Sequence, residues 1–161
     1  MSGEEIIEGE EIIEIPGKWE IPYLYSAGKT ASKFFYGLKH NKKIMGTKCK
    51  GCSRVYLPPR SYCETCFLPI IDWVEVGEKG IVETFTIVLA KFEGFPEPPF
   101  IISYVRLDGA DTCLANFIFG VDLTDIEKAK KIMKVGMRVK VLFKDNPEGR
   151  ITDFVFVPIN P

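Results

Sequence analysis

The stretch CKGCSRVYLPPRSYCETC, residues 49–66, sets four cysteines in two C-x-x-C pairs ten residues apart, in a 161-residue chain with five cysteines in all. Pairs so spaced can converge on one tetrahedral cation with a Zn–S length of about 2.3 Å. Two disulfides, or iron in the same four-sulfur cage, are the competing readings. In a reducing cytosol paired thiols are more often metal ligands than disulfides, although intracellular proteins of hyperthermophiles are an exception. The intervening SRVYLPPRSY has apolar residues enough to pack a small ribbon and too few to fold unaided. Cys49, Cys52, Cys63 and Cys66 are therefore read as ligands of one structural zinc. Four protein ligands leave no position for water or substrate, so this metal would hold a fold and perform no chemistry. Its binding, roughly 10–16 kcal/mol in small finger peptides, suffices to order a segment of this size.

Charge is segregated around that stretch. Residues 1–15 carry six glutamates and no base, and residues 16–66 carry ten bases against two acids, a net of +8. Residues 67–161 have eleven bases and fourteen acids, a net of −3. A basic segment of this kind suits a polyanionic partner, either nucleic acid or a phosphate-bearing cofactor, and equally suits a merely solvated face. The chain has no run of eighteen apolar residues and no basic-then-apolar leader, so membrane insertion and export are not expected and a cytoplasmic location is. It has no glutamine and four asparagines, with Glu, Lys and Ile plentiful, the bias of a heat-adapted protein.

Three parts follow: an acidic tail, arm and helix over 1–46, a zinc ribbon over 47–72, and a barrel over 73–161. KWEIPYLYSAG (18–28) is rich in aromatics, Pro and Gly and shows no regular period, which predicts an extended arm. From Ser26 to Lys43, Ala31, Phe34, Phe35 and Leu38 recur at helical spacing, while Lys29, Lys33, Tyr36, His40 and Lys43 fall opposite. Gly28-Lys29-Thr30 is no phosphate loop, because Tyr23 stands where that loop needs its first glycine.

Beyond the cysteines the period becomes two. The runs 80–92, 100–107, 112–119, 137–144 and 151–157 read as strands, with a short helix over 123–133 capped by Thr124 between the third and fourth. Five strands with a helix in that place is the order of an OB-fold, so the chain is predicted to be mainly β. His40, alone of its type, reads as a solvated residue and Cys113 as a core thiol. No nucleophile, base and orienting acid assemble from the sequence, so a non-enzymatic role is expected. The loop 92–100, with Phe92, Phe95 and Phe100 among prolines, is either a ligand loop or packing at the barrel mouth.

The segments FFYGLKHNKKIMGTKCKGCSRVYLPPRSYCETCF (34–67), VEVGEKGIVETFTIV (74–88) and PPFIISYVRLDGADTCLANFIFG (98–120) resemble a known family. Its small proteins pair a helix, a rubredoxin-like zinc ribbon and an OB-fold, and are found beside archaeal thiolases and hydroxymethylglutaryl-CoA synthases. The most specific part is the order C-x-x-C, aromatic-Leu-Pro-Pro-Arg, C-x-x-C. Ser53 replaces the glycine that often follows the second ligand, which implies a more strained first knuckle, and Glu64 replaces a common proline. The resemblance implies a non-catalytic, acyl-CoA-associated accessory subunit that binds or bridges such enzymes. Coenzyme A carries a diphosphate and a ribose phosphate, so Lys29, Lys33, Tyr36 and Arg60 are the candidate contacts to a CoA ester or to the enzyme holding it. Nucleic acid is the alternative partner, disfavoured because a barrel of net −3 offers single strands little positive groove.

Overall fold

In the computed structural model, which describes residues 13–17 and 19–159, the first regular element is α1 (Gly28–Asn41). The acidic tail lies, apart from residues 13–15, outside the described residues. Phe34 and Leu38 are buried, whereas Lys29, Lys33, Tyr36 and His40 are exposed, as the helical spacing predicts. The helix is shorter than the expected Ser26–Lys43. The Ser26 hydroxyl accepts the Gly28 N–H before the first turn, and Lys42, at φ 49°, takes the left-handed conformation that stops the last. Among the described residues no helix is long and apolar enough to cross a membrane.

Three short strands follow the helix: β1 (Met45–Lys48), β2 (Val55–Tyr56) and β3 (Asp72–Glu75), antiparallel in the order β2-β1-β3. Strand geometry turns successive side chains to opposite faces. Val55 and Leu57 accordingly join the main hydrophobic core, while Tyr56 between them enters a second cluster with Cys49, Cys63 and Ile70.

The remaining strands are β4 (Lys79–Val88), β5 (Phe100–Leu107), β6 (Leu114–Ile118), β7 (Arg138–Phe143) and β8 (Phe154–Pro158). They close into a barrel in the order β4-β5-β6-β8-β7, with β7 pairing back onto β4. α2 (Ile126–Ile132) lies between the third and fourth of them, which is the predicted OB-fold order. The first strand stops at Val88, short of the expected Phe92, because the chain there enters the proline-rich loop. β4 bulges between Val82 and Thr84, supplying curvature. At Gly80, squeezed between β5 and β7, a Cβ would stand 2.6 Å from the Arg106 carbonyl oxygen, so the closure tolerates glycine alone. α2 is capped by Asp125, not Thr124: Asp125 accepts the Lys128 N–H, while Thr124 is held by the Asp122 carboxylate. The turn at 146–149 joins β7 to β8 as a hairpin, fixed by buried Asp153, which accepts the N–H groups of Gly149 and Arg150.

One core spans helix, ribbon and barrel: Phe34, Val55 and Leu57 belong to the same cluster as Val82, Val105 and Phe154. The ribbon is also bonded to the barrel by polar groups. The Val55 N–H donates to Asp111 Oδ2 at 2.8 Å, and the Asp111 N–H returns to the Val55 carbonyl at 2.9 Å. Thr112 Oγ1 accepts the Leu57 N–H at 2.7 Å and donates to the Leu57 carbonyl at 2.8 Å. Replacing Thr112 by Val keeps the shape and strands that N–H and carbonyl. Urea unfolding of the zinc-loaded protein should show Thr112→Val less stable by about 1–3 kcal/mol, the cost of an unsatisfied buried backbone group, with its slope unchanged.

Candidate metal centre and basic face

The two C-x-x-C pairs sit on adjoining turns, and the ligand sulfurs of Cys49, Cys52, Cys63 and Cys66 all lie within 4.8 Å of one another. A tetrahedral zinc with bonds of about 2.3 Å spaces its sulfurs by about 3.8 Å, and Cys52 Sγ stands 3.6 Å from Cys63 Sγ. The donor set fits zinc. Backbone amides are already turned onto the sulfurs, with the Gly51 N–H donating to Cys49 Sγ and the Cys66 N–H to Cys63 Sγ, each at 3.3 Å. Gly51 has no room for a side chain: a Cβ would lie 2.9 Å from Leu68 Cδ1 and 3.2 Å from Cys66 Sγ. The residue after each pair turns left-handed, Ser53 at φ 61° and Phe67 at φ 55°. For a residue with a Cβ that conformation costs roughly 1–2 kcal/mol, so both knuckles hold strain that their ligation must outweigh.

Tyr56 was not singled out from the sequence as a site residue, yet it sits deepest in the cluster. Its hydroxyl lies 3.2 Å from Cys63 Sγ and is fully buried with it. Hydrogen bonding from that hydroxyl is the main reason the Cys63 thiol is held down to about 6, while the hydrogen bond between Cys66 and Cys52, and burial, push Cys66 up to about 12. A divalent cation taking all four as thiolates removes that competition for protons. The signal was the aromatic position of the aromatic-Leu-Pro-Pro-Arg order.

The basic residues fall partly into place. Lys29, Lys33 and Tyr36 line the exposed side of α1, where the Tyr36 ring lies against His40, tilted by 38° with ring centroids 4.2 Å apart. Lys33 Nζ lies 4.6 Å above the Trp73 ring on β3. Thr30 and Ser61 share a hydrogen bond of 2.6 Å, which ties the first turn of α1 to the neighbour of Arg60. Arg60 itself is engaged within the ribbon: its guanidinium pairs with Glu64 at 2.5 Å and lies 5.3 Å above the Tyr56 ring, with Arg54 5.7 Å from the same ring. Lys43 pairs with Glu75 and Lys50 with Asp72, so the net of +8 is reduced by acids on β3 that the 16–66 window leaves out.

One expectation needs correction. Cys113 is half-buried at the barrel surface, not a core thiol, with burial pushing its pKa up. The loop 92–100 packs at the barrel mouth, where Phe100 is buried and Phe95 stacks on it at 6.0 Å, while Phe92 and Phe95 remain half exposed.

Two family models match the chain, one described as the ChsH2 rubredoxin-like zinc ribbon domain over residues 42–68 and one as the ChsH2 C-terminal OB-fold domain over residues 73–144. A solved structure from the DUF35 family, a Sulfolobus solfataricus protein with unknown function, is 30% identical, over 81% of this chain and 86% of that one, with a TM-score of 0.60. The chain belongs to the DUF35 family. Another DUF35 relative, a DUF35 domain-containing scaffold protein of Methanocaldococcus jannaschii, is 24% identical over 129 residues, 76% of this chain and 86% of its own. The Ltp2-ChsH2(DUF35) aldolase shares the fold at a TM-score of 0.60 and 20% identity, over 83% of this chain and 98% of that one.

Metal analysis of this DUF35 protein should give about one zinc per chain, lost in Cys52→Ala; a metal-free protein with two disulfides by mass would refute the site. Tyr56→Phe removes the hydroxyl beside Cys63 and leaves the packing. Its zinc affinity, measured by chelator competition, should fall about tenfold, as for other lost partners of a ligand.

Proposed function

We propose that this chain is a non-catalytic, cytoplasmic accessory subunit that binds or bridges acyl-CoA condensing enzymes of the thiolase and hydroxymethylglutaryl-CoA synthase types, in a heat-adapted host. Kinship with a protein named a scaffold, along 86% of that protein's length, carries the reading. A neighbour whose name joins a DUF35 chain to an aldolase supports it. The metal centre is consistent with such a role, since four cysteines fill a tetrahedral shell and leave no position for substrate.

In this reading Lys29, Lys33 and Tyr36, with Arg60 at the same end of the helix, receive the phosphates of a CoA ester or the enzyme carrying it. Arg60 is available in spite of Glu64, because both side chains of that pair are about half exposed, at 50% and 48%, and an exposed pair is worth little and is readily exchanged for a phosphate. Arginine offers a planar fork that lysine lacks. The nucleic-acid alternative finds less support in the barrel, where Arg106 is tied to Glu83 and Lys91 to Glu97.

Copurification of the untagged partners from the native host, followed by mass spectrometry, should recover a condensing enzyme. Arg60→Lys should stay folded and zinc-loaded yet bind acetyl-CoA, or support condensation by the partner, about tenfold less well, the worth of one charge-assisted hydrogen bond. Unchanged binding and activity in both Arg60→Lys and Lys33→Ala would remove this face from the account. Single-strand affinity tighter than about 10⁻⁶ M at physiological salt would favour the nucleic-acid reading instead.

A further inference from the structure

Residues 19–25, WEIPYLY, present five large apolar side chains to water: Trp19 is 88% exposed, Ile21 66%, Tyr23 77%, Leu24 102% and Tyr25 80%. The stretch adopts neither helix nor strand. Read from the sequence as aperiodic, it nevertheless sets Trp19, Ile21, Tyr23 and Tyr25 at every second position, and the rings of Tyr23 and Tyr25 lie 6.1 Å apart. In an extended chain that spacing puts all four on one face. Pro22 falls on the other face and has no N–H, so the backbone edge of the even-numbered residues lacks one donor and only the edge of the odd-numbered residues is uninterrupted for pairing with a neighbouring strand.

A contiguous apolar face of this kind marks an interaction site. The apolar side of α1, which it leads into, is already filled by the core, and the opposite side is lined by lysines. Charge selects among other occupants. Residues 1–20 carry seven glutamates against one lysine. An anionic lipid surface repels such a segment. A second copy's exposed patch of Leu89, Phe92, Phe95 and Phe119 offers it no net positive charge, since it lies in the −3 half of the chain and Lys91 beside it is paired with Glu97.

We propose that residues 19–25 are the segment by which this chain docks on its enzyme partner, lying extended in an apolar groove of that enzyme with pockets for Trp19, Ile21, Tyr23 and Tyr25 and a basic rim that meets the glutamates. The inference rests on the accessory-subunit reading above. Recognition of this kind reads alternate side chains in pockets and uses the backbone for affinity, and Trp and Tyr are the residue types that most often anchor such contacts.

The test uses the full chain and the condensing enzyme that copurifies with it, purified separately and titrated in a defined pair while Trp fluorescence and sedimentation are followed. The triple variant Trp19→Ser, Ile21→Ser, Tyr23→Ser should bind that enzyme at least about 100-fold more weakly, with zinc content and thermal unfolding unchanged. Leu24→Ser, on the opposite face, should bind within about threefold of the parent, and a synthetic peptide of residues 13–27 should compete. Equal binding by the triple variant and the parent would overturn this inference and leave the accessory role standing. A full chain that retains no condensing enzyme sinks both. A parent that sediments as a dimer and a triple variant that sediments as a monomer would show the occupant to be a second copy, against the proposal.

Discussion

Three consecutive residues belong to two cores at once. Because an extended chain turns alternate side chains to opposite faces, Val55 and Leu57 reach into the core shared with α1 and the barrel, and Tyr56 reaches the cluster of Cys49, Cys63 and Cys66. The backbone of the same residues is spoken for on its outer edge by Asp111 and Thr112, which belong to the turn between β5 and β6. Moving this strand by one residue would exchange its faces, placing Tyr56 in the barrel core and apolar chains among the ligands. The metal centre and the barrel are thereby held to one register. The zinc ribbon is therefore not an appendage, and the binding energy of its metal is delivered to the junction between ribbon and barrel.

That junction also explains how the chain deals with open sheet edges, which invite pairing with other chains. The barrel closes on itself through β7 and β4. In the ribbon sheet β2 is one edge, and its outward N–H and carbonyl groups are satisfied by Asp111 and Thr112. β3 is the other edge; it is four residues long and begins and ends on the acids Asp72 and Glu75, the kind of short, charged edge that resists further pairing.

What the sequence disclosed depended on how local the signal was. The four thiols announced themselves because their ligand function is encoded in a spacing of a few residues, and the barrel strands because alternation persists over five residues or more. β1, β2 and β3 were passed over, since strands of two and four residues carry no measurable period. Asp111 and Thr112 were invisible for a different reason: they act on residues 55 or 56 positions away. Tyr56 and Glu64 lay in plain view without a role being read for either. Glu64, read only as a departure from a common proline, is the acid that draws Arg54 and Arg60 together over the Tyr56 ring. Charge counting by window likewise overstated the free basic surface, because β3 returns Glu75 and Asp72 to Lys43 and Lys50.

In the proposed role, the pairing of Arg60 would set what kind of ligand the basic face receives. A guanidinium held only by solvent would bind any phosphate weakly and without orientation. With Glu64 on one side and the Tyr56 ring beneath it, Arg60 has already lost much of its rotamer freedom, so a phosphate arriving there bears less of the ordering cost. It must displace a carboxylate, a small cost at a half-exposed pair that weighs most on singly charged anions and favours groups with acceptors for both arms of the guanidinium. Lys33, resting on Trp73, is positioned in the same manner by a neutral partner and, among the described residues, has no acid to give up. In the proposed role, a diphosphate reaching across from the helix to the ribbon would therefore meet a cation resting on an aromatic ring at one end and an exchangeable one at the other, and the Thr30–Ser61 hydrogen bond fixes the distance between the two elements that it would have to span.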